Sequence, residues 1–188
     1  MAPEPFALLA DVFGHAGFRP GQEEAVQAAL DGRDALVVMP TGSGKSLCYQ
    51  LPALGALRLT IVVSPLLALM RDQVEALRIL GRDDVAALSS DTPADEVERV
   101  LDALRGEGGS LLAPAPAVRL LYVAPERFAN ARFAAALAEA RVDLLVVDEA
   151  HCLSEWGHDF RPDYGRLAQV RERIRPRAVM ALTATATR

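Results

Sequence analysis

The chain predicts an α/β fold in which a parallel sheet carries helices on both faces. Six short runs, Ala35–Met39, Thr60–Ser64, Val85–Ser89, Arg119–Val123, Leu144–Val147 and Ala178–Leu182, are β-rich. They are nearly all apolar rather than alternating, as suits strands covered on both sides. Helical patterns fill the intervals: Gly21–Leu30, Lys45–Leu57, Pro65–Leu80, Pro93–Arg105, Glu126–Ala140 and Asp163–Ile174. Strand and helix in alternation imply parallel strands joined by helical crossovers. The 188 residues, 51% of them hydrophobic, suffice for one well-filled domain and are short for two.

Glycine marks two helix ends, at Gly32 and Gly81. Phe13 and Phe18 read as core anchors of a loop that precedes the first helix. Gly106–Ala117 is the one low-complexity segment; its Gly and Pro content opposes regular structure and predicts a surface loop. The strand–helix rhythm resumes after it, so it is no domain linker.

The formal net charge is −5, which does not announce a nucleic-acid binder. The charge is unevenly spread, however. From His151 to Arg188 there are seven arginines against four acidic residues, a net +3, which leaves −8 for Met1–Ala150. That basic stretch is either a local phosphate-binding surface or a solvated helix face. Cys48 and Cys152 form neither a metal-ligand pattern nor a disulfide framework, and read as reduced, buried thiols of a cytoplasmic protein. The N-terminus has no basic region followed by an apolar run, so no signal peptide is indicated. No apolar stretch approaches the roughly 20 residues of a membrane span.

Lys45 is the only lysine; the other basic residues are arginines. It stands in Thr41-Gly42-Ser43-Gly44-Lys45-Ser46, after a predicted strand and at the start of a predicted helix. That is the context of a phosphate-binding loop. Small residues let backbone N–H groups approach phosphates, and a helix N-terminus adds partial positive charge. A compact ammonium reaches the terminal phosphates where a planar guanidinium would not fit. Ser46 is the candidate Mg²⁺ ligand. The first glycine of the strict GxxxxGK[ST] pattern is replaced by Met39.

Asp148-Glu149-Ala150-His151 follows the apolar run Leu144–Val147. Paired carboxylates at the C-terminal end of a strand lie on the ligand side of such sheets. Asp148 is expected to hold Mg²⁺ through water, and Glu149 to orient or deprotonate an attacking water.

These segments and those around them resemble the DEAD/DEAH-type helicases, and specifically the RecQ family of DNA helicases, over nearly the whole chain. Phe13–Gln22 is similar to the RecQ adenine-recognition motif. The resemblance implies that Gln22 reads the adenine edge with help from Arg19. His15 stands where the family usually carries an aromatic ring. Thr41–Pro52 is similar to the family's phosphate loop and its tail, with Leu47, Tyr49 and Leu51 as packing residues. Ser64–Gln73 resembles a motif that holds the DNA backbone, and Tyr122–Arg127 a neighbouring one. Both describe ordinary capped helix starts equally well. His151–Tyr164 is similar to the aromatic-rich loop that marks RecQ proteins. There, Trp156, Phe160 and Arg161 suit base stacking and phosphate contact, while His151 and His158 would relay DNA binding to the hydrolytic residues. Ala181–Thr187 resembles the motif that couples hydrolysis to strand movement through Thr183 and Thr185.

The resemblance thus implies a RecA-like P-loop NTPase domain over Met1–Arg188, with ATP and Mg²⁺ as cofactors and single-stranded and forked DNA as partners. The parent activity would be ATP-driven 3′-to-5′ unwinding in DNA repair and recombination. RecQ-type helicases continue into a second RecA-like domain, a zinc-binding region and usually a winged helix, none of which is in these residues. The isolated domain is expected to be a monomer with feeble hydrolysis, since the second domain supplies an arginine finger worth roughly 10³–10⁵ in rate. The alternative is a catalytically weak, ATP- and single-strand-binding regulatory module.

Overall fold

The computed structural model describes residues 4–106, 109–110, 113–114, 118–153 and 162–184. Six parallel strands form one sheet in the order β1-β8-β7-β2-β6-β3. They are β1 (Ala35–Val38), β2 (Thr60–Val63), β3 (Val85–Leu88), β6 (Leu120–Val123), β7 (Leu144–Val147) and β8 (Ala178–Thr183). Every one of the six predicted strands is present, with ends displaced by at most one residue. β4 (Gly109–Ser110) and β5 (Ala113–Pro114) pair antiparallel. The segment read as a plain loop therefore contains a minimal ladder.

Two cores sandwich the sheet. On one face α2 (Gln22–Asp31), α3 (Leu47–Gly55) and α4 (Leu67–Ile79) bury Ala25, Tyr49, Leu54, Met70 and Val74 against Val37, Val62 and Val146. On the other, α5 (Ala94–Arg105), α6 (Ala131–Glu139) and α7 (Leu167–Ile174) bury Leu101, Phe133 and Leu167 against Ile61, Leu121 and Leu145. The odd and even residues of β2 thus enter different cores. That is why β2, β6 and β7 are buried throughout and read as unbroken apolar runs. Edge strand β1 departs from this expectation, with Leu36 68% and Val38 46% exposed.

Four elements differ from the sequence reading. α1 (Pro5–Phe13) occupies residues given no element. Pro5 opens it, where a missing N–H is harmless, and Gly14 closes it at φ +66°. The Glu126–Ala140 helix is divided into a 3₁₀ turn, Pro125–Ala129, and α6. Asn130 separates them, its extended backbone ending the turn while its side chain accepts from the Phe133 N–H at 3.1 Å. The Asp163–Ile174 helix begins as a 3₁₀ turn, Pro162–Arg166. α3 is shorter than Lys45–Leu57: tighter i to i+3 bonds, Leu47 N–H to Gly44 O and Cys48 N–H to Lys45 O, precede it, and Ala56 leaves helical geometry at φ −139°. Among the described residues no helix is long and apolar enough to cross a membrane.

Candidate functional site

The C-terminal ends of β1, β8, β7 and β2, neighbours in the sheet, deliver the candidate residues to one end of the sheet. The Thr41–Ser46 loop leaves β1, Thr183 ends β8, Asp148 and Glu149 follow β7, and Ser64 follows β2. The register is parallel throughout, so all four strands release their chains on the same side.

The loop takes its shape from left-handed glycines at Gly42 and Gly44, φ +78° and +85°. A Cβ on Gly44 would come within 2.7 Å of Gln22 Nε2, so glycine is required there on two counts. Lys45 Nζ donates to the carbonyls of Met39 (3.0 Å) and Pro40 (3.2 Å). Met39 is itself buried, and its N–H donates to Thr183 O at 3.1 Å. An apolar anchor thus occupies the place of the pattern's first glycine without disturbing the turn. Ser46 immediately precedes α3 as its cap residue, with helical φ and ψ.

Gln22 is only 4% exposed. Its Nε2 donates to Gly44 O (3.0 Å) and Ser43 O (3.3 Å), and its Oε1 accepts from the Arg19 N–H at 2.8 Å. The Arg19 guanidinium donates to Gly42 O at 3.1 Å. The two residues thus grip the loop's backbone. His15, Arg19, Gln22 and Gly44 line a cavity of about 330 Å³ with Ala16, Gly17 and Leu47. His15 is exposed, and its ring lies stacked with Phe13, centroids 6.2 Å apart.

At the end of β7, Asp148 is 8% exposed. Burial raises its carboxyl above the usual carboxylate value, and the Glu149 charge adds to the rise. The Glu149 N–H, Lys45 and Ser64 oppose it. Glu149 sits at φ +49°, a region rarely used by non-glycine residues. Its Oε2 lies 3.2 Å from His151 Nδ1, which is also 3.3 Å from Thr183 Oγ1. Asp148, Glu149, His151 and Thr183 therefore form one connected cluster.

Ser64 faces inward. It is 1% exposed, with its hydroxyl 3.5 Å from Asp148 Oδ2 and 3.5 Å from the Leu66 N–H. Of the apolar residues around it, Met70 is buried, whereas Leu66 and Leu69 are 42% and 36% exposed. Trp156, His158, Phe160, Arg161 and Thr185 lie outside the described residues.

Two groups were not singled out as site residues. Tyr164, 1% exposed, donates its hydroxyl to the backbone carbonyl of Asp148 at 3.1 Å. Tyr122 accepts from Gln50 Nε2 at 2.9 Å, and the same amide donates to Gln73 on α4 at 2.7 Å. Burial pushes the Tyr122 phenol up to about 12, so it stays protonated. Neither contact was foreseeable, since each joins residues far apart in the chain. Cys48 is buried, its thiol pushed up to about 11, and Cys152 is buried as well.

The donor set suits a divalent cation shared with phosphates. A desolvated carboxylate beside a second one favours positive charge. Among the described residues no group of three or more His, Cys, Asp and Glu stands ready to hold a metal alone. Mg²⁺ fits such a site because it takes one or two protein oxygens and completes its shell with phosphates and water.

The DEAD/DEAH box helicase profile matches residues 19–188. The ATP-dependent DNA helicase RecQ of Haemophilus influenzae is 44% identical over 98% of this chain and 28% of its own length. The ATP-dependent DNA helicase Q5 of Rattus norvegicus is 47% identical over 96% of this chain and 18% of its own. The probable ATP-dependent DNA helicase RecS of Bacillus subtilis is 41% identical over 96% of this chain and 34% of its own. The chain thus spans about a third or less of these relatives. Among solved structures, the DUF1998 helicase MrfA superposes with a TM-score of 0.70 at 19% identity, over 99% of this chain and 30% of that one. A hypothetical ATP-dependent RNA helicase from Sulfolobus tokodaii superposes at 0.68 and 19%, over 98% and 51%. Those two likenesses establish the RecA-like fold. By its family profile and its relatives, the chain belongs to the DEAD/DEAH box helicase family, among the RecQ-type members.

Proposed function

We propose that this domain is the ATP-binding half of a 3′-to-5′ DNA helicase motor, working with a second RecA-like domain to unwind DNA in repair and recombination. The observation that carries the reading is the meeting of the Lys45 loop with Asp148, Glu149, His151 and Thr183 at the C-terminal end of the sheet. RecQ-type relatives are named ATP-dependent DNA helicases, which supports ATP as the fuel and DNA as the track.

Adenine enters the cavity bounded by His15, Arg19 and Gln22, where the Gln22 carboxamide exchanges its bonds to Ser43 O, Gly44 O and the Arg19 N–H for a donor and an acceptor on the adenine edge. The phosphates lie along Thr41–Ser46, and their oxygens replace the Met39 and Pro40 carbonyls as partners of Lys45 Nζ. Ser46 and, through water, Asp148 would hold Mg²⁺, which would supply positive charge to the phosphates. Glu149 accepts a proton from the attacking water or aims its lone pair. His151, between Glu149 and Thr183, ties that carboxylate to the end of β8. Single-stranded DNA crosses the α4 end of the sheet and the 154–161 segment, where Trp156, Phe160 and Arg161 stack bases and hold phosphate.

ATP turnover by this chain, with and without single-stranded DNA, tests the reading. Negligible turnover alone, restored by adding the second domain in trans, is the expected result. Brisk turnover that ignores DNA would refute it.

A further inference from the structure

The peptide that joins Asp148 to Glu149 is held at both ends. Its N–H, from Glu149, donates to Asp148 Oδ1 at 3.0 Å. Its C=O, from Asp148, accepts from the Tyr164 hydroxyl at 3.1 Å. The Asp148 N–H, in the preceding peptide, is fixed to Val63 O at 2.9 Å. Such a peptide plane cannot turn without breaking a hydrogen bond. Its orientation sets φ of Glu149, which stands at +49°. Non-glycine residues hold that conformation only where the surroundings compel it.

Tyr164 is well placed to compel it. Its ring is 1% exposed and belongs to the core cluster that includes Phe128, Cys152 and Leu167. Packing locates the ring, so the hydroxyl projects from a rigid base. A phenylalanine would fill the same core; what tyrosine adds is a donor, and a buried donor must be paired. Its partner here is the carbonyl one bond before Glu149. The donor also comes from a different element, the Pro162–Arg166 turn, sixteen residues along the chain. It sits just beyond the 154–161 segment.

We propose that Tyr164 is a positioning residue for Glu149. Its hydroxyl fixes the 148–149 peptide, and through it the direction of the Glu149 carboxylate. The inference rests on Glu149 being the group that orients the attacking water. It adds a residue whose displacement retunes hydrolysis without touching nucleotide.

The test uses the full-length protein with three substitutions, measuring kcat, nucleotide affinity and melting temperature. Glu149→Gln examines the underlying reading: it must abolish turnover and keep ATP binding. If it turns over normally, the role of Glu149 fails, whatever Tyr164 does. Tyr164→Phe is expected to lower kcat by about 10–100-fold, the scale of a small misplacement of a reacting group, with ATP affinity unchanged. Leu167→Ala, which disturbs the same core without removing a hydroxyl, is expected to lower the melting temperature and leave kcat near wild type. Unchanged kcat in Tyr164→Phe overturns the proposal. So does an equal loss of kcat in Leu167→Ala, which would trace the effect to general loosening. Failure of Tyr164→Phe to fold would make the hydroxyl a structural group and overturn it equally.

Discussion

Replacing Asp148 by asparagine should stabilise the metal-free domain while destroying its proposed metal site. Asp148 is 8% exposed, its carboxyl is raised mainly by burial, and Glu149 adds a like charge. For an acid whose pKa is higher in the folded state, the folded chain binds the proton more tightly than the unfolded chain. Folding is therefore unpenalised at pH well below the ordinary carboxylate value. The penalty grows as pH rises through the interval between the unfolded and folded values, and is complete above it. Asparagine removes the charge and keeps the shape. Its Oδ1 can still accept from the Glu149 N–H, and its amide can meet the Ser64 hydroxyl. The gain should be about 1 kcal/mol, typical of relieving a functional site that is kept at a cost in stability. For a domain of this size that is roughly 2–4 °C in melting temperature. Thermal melts of both proteins across a pH series, without divalent cations, provide the assay. The two curves should converge at acid pH and separate towards neutrality with the asparagine variant higher. With Mg²⁺ and nucleotide the order should reverse, because the aspartate, which helps hold the metal, gains more from the ligand. A variant that melts below wild type at neutral pH without metal would show that the carboxylate is net stabilising, and the burial argument would fall.

Three further outcomes follow from the same geometry. Lys45→Arg keeps the charge but puts a planar fork where Nζ meets the Met39 and Pro40 carbonyls. Nucleotide affinity measured by calorimetry should drop at least about tenfold, roughly 1.4 kcal/mol or more; wild-type affinity would remove the argument for a compact ammonium. Gln22→Ala takes away the amide that meets Ser43 O and Gly44 O. ATP should bind about tenfold more weakly and GTP should be affected less, so an equal loss for both nucleotides would deny Gln22 a role in base reading. Trp156→Ala in the full-length protein should preserve ATP binding and uncouple hydrolysis from DNA. Basal and DNA-stimulated rates that both stay at wild type would show that this loop does not serve coupling.

Strands were legible in the sequence because covered strands need apolar side chains on both faces, and such runs as Thr60–Val63 and Leu144–Val147 have few other uses. The phosphate loop was legible because its chemistry demands small residues and one ammonium within a few positions. Helix α1 was not. Leu8 and Leu9 gain burial by packing across the chain, where Gly55 on α3 leaves room; a Cβ there would come within 2.7 Å of Leu8 Cδ2. No local pattern announces such a fit. The division of Glu126–Ala140 was visible in principle, since Asn130 is a favoured N-cap residue.

The reading of Ser64 shows how far a local pattern reaches. A serine before a helix start reads as a cap or a phosphate donor, since both are exposed roles. In the fold it follows the buried strand β2, beside β7, and its hydroxyl faces Asp148. Residue chemistry and spacing sufficed for the succession of strands and helices along the chain, the loop that suits phosphate and the carboxylate pair, because each depends on neighbours a few positions away. The partners of Gln22, the burial that raises Asp148, the link from His151 to Thr183 and the hold of Tyr164 on the Asp148 carbonyl depend on which strands lie side by side. That adjacency arises from packing between distant segments, and no interval of the chain encodes it alone.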